Sequence, residues 1–162
     1  MKLPKTIRLD ESDDTVFPRA ARAGEWAVTG TFAFVDADPD GMSAKERQAF
    51  RNGWIGTRSF GFATLVRVVE IAPEAVDEIA DTLATHLLDA YGAPNWESAA
   101  AAARGEIDTT AGLCGVEAGT LLAIEREMLA DGIIKRVRAI EMPATGMAAD
   151  IRVWQVVDDG DD

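Results

Sequence analysis

The sequence predicts an α+β fold: a largely antiparallel sheet of about five to seven strands with three helices, in the order roughly β-β-β-α-β-α-α-β-β-β. Three observations predict it. Strand-like apolar alternation occupies both ends of the chain. Helical periodicity is confined to the middle. An Asp131-Gly132 pair joins two long strand-like runs near the C-terminal end, which is the signal of a tight hairpin. Strands gathered at both ends around central helices argue against a wound parallel sheet. A chain of 162 residues, 48% hydrophobic and 27% charged, has the size and composition of one globular domain. Residues 1–157 are expected to form it, with 158–162 as a frayed acidic tail.

The elements follow in order. Thr6 to Leu9 reads as a short strand, Asp10 to Asp14 as a polar turn, and Thr15 to Phe17 as a return strand stopped by Pro18. Glu25 to Val35 alternates over its whole length, with Trp26, Val28, Phe32 and Phe34 on one face and Gly30 as the site of a bulge or close approach. Ser43 followed by Glu46 is a capping box that opens a helix carrying Phe50 and Trp54 on one side. Ser59 to Ile71 reads as a second long strand, apolar on both faces and therefore interior or used in dimerisation. Pro73 starts a helix to about Tyr91, with Val76, Ile79, Ala80, Leu83 and Leu87 as its buried stripe and Gly92 and Pro94 as its stop. An alanine-rich helix follows from Trp96 to about Thr110, capped by Asn95 or Ser98. Thr120 to Leu129 and Ile133 to Met142 form the hairpin. A two-residue Asp131-Gly132 loop sets Glu127 opposite Arg136, Glu125 opposite Arg138, Leu129 opposite Ile134, Ala123 opposite Ile140 and Leu121 opposite Met142. A last strand, Ile151 to Val157, follows the loop PATGMAAD.

Charge narrows the function. With 28 acids against 16 bases, the formal net charge is −12. That field repels phosphate backbones and anionic lipid, so neither nucleic acid nor membrane is an expected partner, although a local basic patch is compatible with it. No run approaches the eighteen or so apolar residues of a membrane helix, and MKLPKTIRLDESDD lacks a signal-peptide core, so a cytoplasmic location is expected. One cysteine cannot close an internal bridge, and one cysteine with one histidine cannot build a Cys/His zinc site. No phosphate-cradling glycine loop occurs, and no cofactor is expected.

The chemical candidates are few. Asp36, Asp38 and Asp40, with Gly41, match the opening of a calcium loop, but position 12 is Arg47 where a bidentate glutamate belongs, so the acids read as turn and helix-start residues. His86, the only histidine, lies at the edge of a helix's apolar stripe. Any histidine-dependent catalysis must use it, and a half-buried structural histidine is the plainer reading. Cys114 has acidic neighbours Asp108 and Glu117, which do not activate a thiol, and reads as a small buried hydrophobe. Glu74/Glu78 and Asp77/Asp81 stand four apart, off the apolar stripe, and read as a solvated face. Trp26 and Trp154 read as strand residues that fill core. Trp54 and Trp96, at helix ends, are the aromatic candidates for a pocket or an interface.

The segments KLPKTIRLDESD, GEWAVTGTFAFVDADP and GTLLAIEREMLADGIIKRVRAIE resemble a small family of uncharacterised bacterial proteins, over most of the chain up to Met142. The resemblance implies neighbours among lipoate-ligase-like and formate-dehydrogenase-associated proteins, hence an accessory role beside a redox enzyme. It assigns no catalytic residue, and the tail from Ala144 to Asp162 is expected to depart from it. The favoured expectation is thus a non-catalytic accessory or interaction protein with a protein partner or a homodimer interface. The alternative is a small ligand-binding domain or enzyme with a pocket between sheet and helices.

Overall fold

The computed structural model describes residues 1–8, 11–35, 37–141 and 152–158. The fold is α+β. Strands β1 (Lys2–Ile7), β5 (Leu65–Glu70), β6 (Leu121–Leu129), β7 (Gly132–Glu141) and β8 (Arg152–Asp158) form one antiparallel sheet in the order β1-β5-β6-β7-β8. A second sheet holds three very short antiparallel strands, β2 (Ala27–Val28), β3 (Trp54–Gly56) and β4 (Phe62–Ala63). Helices α1 (Ser12–Val16) and α2 (Ala44–Asn52) precede the hairpin of α3 (Pro73–Ala90) and α4 (Trp96–Leu113).

The small sheet lies on the inner face of the large one. Ala27 and Trp54 pack there against Val66, Val68, Leu122, Ile124, Val137 and Ala139. On its other side Val28, with Leu3 and Ile71, meets the apolar stripes of α3 and α4, whose contacts include Val76, Leu83, Ala103 and Ile107. All five residues expected to form the α3 stripe are buried. A third cluster, around Phe17, Phe34 and Ala49, sits under α2.

Local rules hold where the chain is helical. Ser43 and Glu46 form the reciprocal capping box, Pro73 occupies the first turn of α3, and the Asn95 side chain caps α4 by accepting from Ser98 N at 2.8 Å. They fail where the chain was expected to run as long strands. Thr15 to Phe17 is not a return strand: Ser12–Val16 is a short helix with Asp13 and Asp14 in its first turn, where the helix dipole favours acids. Of Glu25 to Val35, only Ala27–Val28 pairs as a strand. Gly30 then turns left-handed at φ 82°, and Thr31–Phe34 is a 3₁₀ turn. Only glycine fits at that corner, because a Cβ on Gly30 would lie 2.5 Å from the Ile55 side chain. Ser59 to Ile71 breaks at Thr64, whose hydroxyl donates to the buried Asp13 carboxylate at 2.7 Å, so β4 and β5 belong to different sheets. β5 is nonetheless interior, between β1 and β6.

The hairpin forms with a register two residues from the expected one. Ala130-Asp131 is the loop and Gly132 already pairs with Leu129, so Glu125 faces Arg136, Glu127 faces Ile134, Ala123 faces Arg138 and Leu121 faces Ile140. A two-residue shift keeps every side chain on its expected face. Arg136 serves both acids, 3.7 Å from Glu125 and 3.7 Å from Glu127. The expected residues Leu9, Asp10, Asp36, Met142, the loop at 143–150, Ile151 and the tail from 159 lie outside the described residues.

One buried charge ties these layers together. Arg126, on the inner face of β6, is fully buried and has no carboxylate partner among the described residues. Its guanidinium donates to Thr31 Oγ1 (3.0 Å), Ala49 O (3.3 Å), Phe50 O (2.8 Å) and Thr29 O. Burial pulls its pKa down to about 10, against the pull of Glu106. The carbonyls of Ala49 and Phe50 belong to the last turn of α2, where a cation is favoured. Glu106 of α4 completes the arrangement, accepting from Thr29 Oγ1 and Gly30 N.

Candidate functional site

The candidate residues read from sequence do not meet in one place. Trp54 is not at a helix end: it is in β3 with 0% of its surface exposed, so it cannot line an interface. Its indole N–H has no acceptor among the described residues. Cys114 is buried against the same cluster, and burial pushes its thiol up to about 12, which holds it protonated at neutral pH. Trp96 does stand at a helix start, 48% exposed. Asp38 caps a 3₁₀ turn by accepting from Asp40 N at 3.0 Å, and Asp40 is exposed. Among the described residues no group of three or more His, Cys, Asp or Glu side chains is placed to hold a metal ion. Asp77 pairs with Arg104 across the helical hairpin at 2.7 Å.

His86 is half-buried and stacked face to face on Phe60, with ring centroids 3.6 Å apart and 7° between planes, and Tyr91 meets it edge-on at 5.4 Å. Burial, helped by Arg19 and opposed by Asp89, lowers its pKa. Phe60 is the one non-glycine residue with positive φ, 57°, among the described residues. That conformation is costly for an aromatic residue and is sustained by what surrounds it.

The surroundings lead to the site. Phe60 belongs to the tight turn between β3 and β4, closed by the Gly56 N–H to Gly61 O hydrogen bond at 2.9 Å. The turn is seated on Glu25, a buried carboxylate that accepts from Arg58 N (2.9 Å), Ser59 N (2.7 Å), Ser59 Oγ (2.6 Å) and Arg22 N (2.7 Å). Burial alone would raise the pKa of Glu25. The four hydrogen bonds outweigh that and hold it below the usual value. The Glu25 backbone is fastened to edge strand β1: Thr6 N donates to Glu25 O at 2.8 Å, and Glu25 N donates to Thr6 Oγ1 at 3.0 Å.

Four separated segments therefore border one cleft of about 460 Å³: β1 at Lys5, the turn 22–26, the turn at Thr57 and Arg58, and the first half of α3 at Ala75, Glu78, Ile79 and Thr82. Lys5 Nζ lies 4.5 Å over the ring of half-buried Trp26. Lys5, Arg22 and Arg58 form no ion pair with a carboxylate among the described residues, whereas Arg8 and Arg104 each have one and Arg136 has two. Of the two acids lining the cleft, Glu25 has its oxygens occupied by four donors, which leaves Glu78 on the α3 side. Three cations against two carboxylates line the cleft, a formal charge of +1 on a chain of net charge −12.

Trp26 was expected in the core and Arg22, Arg58 and Lys5 were not singled out at all. Their only signal in the sequence is that they are bases in an acidic chain, and nothing in their spacing says that they converge. A second pocket, of about 510 Å³, is lined mainly by apolar groups, Phe34, Phe62, Met42 and Ala49 among them. No described helix is long and apolar enough to cross a membrane.

No curated protein and no solved structure matches the chain. The resemblance to a family of uncharacterised proteins does extend to a formal match, and it runs past Met142, so most of the tail expected to depart from the family lies within it. Matching over residues 1–156, the chain belongs to DUF6505, a family of unknown function.

Proposed function

We propose that the protein is a small-molecule-binding domain whose cleft between β1 and α3 takes a ligand carrying phosphate or carboxylate groups. The observation that carries this reading is the convergence of Lys5, Arg22 and Arg58, without an ion-pair partner among the described residues, on one concavity of a chain with net charge −12. Three neighbouring cations repel one another, and a bound anion relieves that repulsion; low-dielectric walls such as Trp26 and Ile79 strengthen the attraction. The reading is of the same kind as the ligand-binding alternative offered by the sequence, but the cleft that supports it contains Trp26 and none of Trp54, Trp96, His86 or Cys114.

Calorimetric titration at low salt with pyrophosphate and with citrate tests it. Both are expected to bind more tightly at low than at high ionic strength, and Arg58→Ala is expected to weaken binding by about tenfold or more, the worth of a charge-assisted hydrogen bond. No heat with either probe at millimolar concentration sinks the reading.

A second reading is an accessory role through a protein partner or a homodimer. It is favoured by Trp96 and Tyr91, 48% and 46% exposed, at the end where α3 turns into α4. Light scattering on the eluting protein separates the homodimer from the monomer, and Trp96→Ala is expected to abolish any dimer. We propose a cytoplasmic location under either reading, on the expectation from the sequence alone.

A further inference from the structure

We infer that Glu25 is the positioning residue of this cleft: it holds the two cleft arginines in register so that they close on one anion. The inference rests on the reading of the cleft as an anion site. The Glu25 carboxylate is buried and spends its four hydrogen bonds on Arg22 N, Arg58 N, Ser59 N and Ser59 Oγ. Two of these are the backbone amides of Arg22 and Arg58 themselves. Their α-carbons lie on turns thirty-six positions apart in sequence, and one side chain links them. The seat is close-fitting, since a Cβ on Gly56 would lie 2.5 Å from Glu25 Oε1. The two Thr6–Glu25 hydrogen bonds, one to the Glu25 carbonyl and one to the Thr6 hydroxyl, carry the same linkage to β1, next to Lys5.

The sign of the charge makes this placement informative. A carboxylate beside three cations is, by Coulomb's law, adverse to a bound anion. Glu25 helps an anion bind only by fixing where the guanidinium groups start from. Two roles then predict opposite outcomes for Glu25→Gln. If the acid is only a nearby charge, neutralising it tightens anion binding. If it positions the turns, the amide cannot accept four donors, the turns loosen and binding weakens.

The experiment titrates pyrophosphate into wild type, Glu25→Gln, Ser59→Ala and the control Val137→Ala by calorimetry at low and high salt. Thermal melts first establish that each variant is folded at the titration temperature. Expected is a loss of affinity of about tenfold in Glu25→Gln and about threefold in Ser59→Ala, the worth of one hydrogen bond, which removes a donor and no charge. The salt dependence stays that of wild type, because all three cations remain. Val137→Ala, destabilised in the core of the large sheet at a position that does not line the cleft, keeps wild-type affinity. Wild-type or tighter binding by Glu25→Gln overturns the inference. Should that variant not fold, unchanged affinity in Ser59→Ala overturns it. Absence of pyrophosphate binding by wild type is a different failure, that of the cleft reading itself, and takes the inference with it.

Discussion

Replacing Arg126 by methionine removes a fully buried cation while leaving behind everything it holds. Buried ion pairs exchanged whole for apolar groups are often neutral or stabilising, because both desolvated partners disappear. Arg126 differs, since three of its four acceptors, Thr29 O, Ala49 O and Phe50 O, are backbone carbonyls that no substitution removes. Ala49 O keeps a second donor, Gly53 N at 2.9 Å, so Thr29 O and Phe50 O are the carbonyls deprived of Arg126, at about 1–3 kcal/mol each. Against this stands the relief of no longer burying a charge that lacks a carboxylate partner among the described residues. The net expectation is the loss at two carbonyls less that relief, about 1–4 kcal/mol. For a chain of this size that is a fall in Tm of roughly 2–16 °C. Urea unfolding monitored by tryptophan fluorescence measures it as a lower midpoint at unchanged slope. Arg126→Lys is expected to recover only part of the loss, because an ammonium has three donors and no planar fork. A methionine variant as stable as wild type, or more so, would refute the reasoning and mean that burying the charge costs more than the carbonyls gain.

Other perturbations probe other parts of the fold. Leu83→Ala, in the fully buried stripe of α3, is expected to cost about 2–5 kcal/mol in the same unfolding assay. Gly61→Ala places a Cβ 2.4 Å from Ala20 O, a backbone atom that cannot swing aside, and is expected to cost about 1–3 kcal/mol or more. His86 has a lowered pKa in the folded state, so the unfolded chain binds more protons below about pH 6.5 and stability falls as the pH drops through that value. His86→Gln is expected to reduce that fall between pH 7 and 5, and an unchanged pH profile would refute the assignment. Cys114 is expected to react with a thiol reagent such as dithionitrobenzoate only at the rate of global unfolding, being buried and held protonated. Fast labelling of native protein would contradict its placement.

Much of the backbone plan was legible before any coordinates. The capping box at Ser43 and Glu46, Pro73 at the start of α3, the stripe from Val76 to Leu87 and the turn near Asp131 all came through, because each depends on residues within a few positions of one another. Even the hairpin's register error preserved which side chains share a face, since the period of a strand is two. The α+β class follows from the same local patterns, and so does the burial of Cys114.

What local pattern did not carry was where alternating runs stop being strands and which separated turns meet. Gly30 and Thr64 interrupt two apparently continuous strands through partners far along the chain, Glu106 and Asp13, whose hydrogen bonds outweigh strand propensity. Trp54 looked like the tip of a helix and proved to be the centre of the packing between two sheets. The cleft is the extreme case: Lys5, Arg22 and Arg58 come together beside α3 through a carboxylate at position 25 and a hydroxyl at position 6. Periodicity reports on the neighbours a residue has along its own strand or helix. A concave cluster of like charges exists only once long-range hydrogen bonds have brought distant turns side by side.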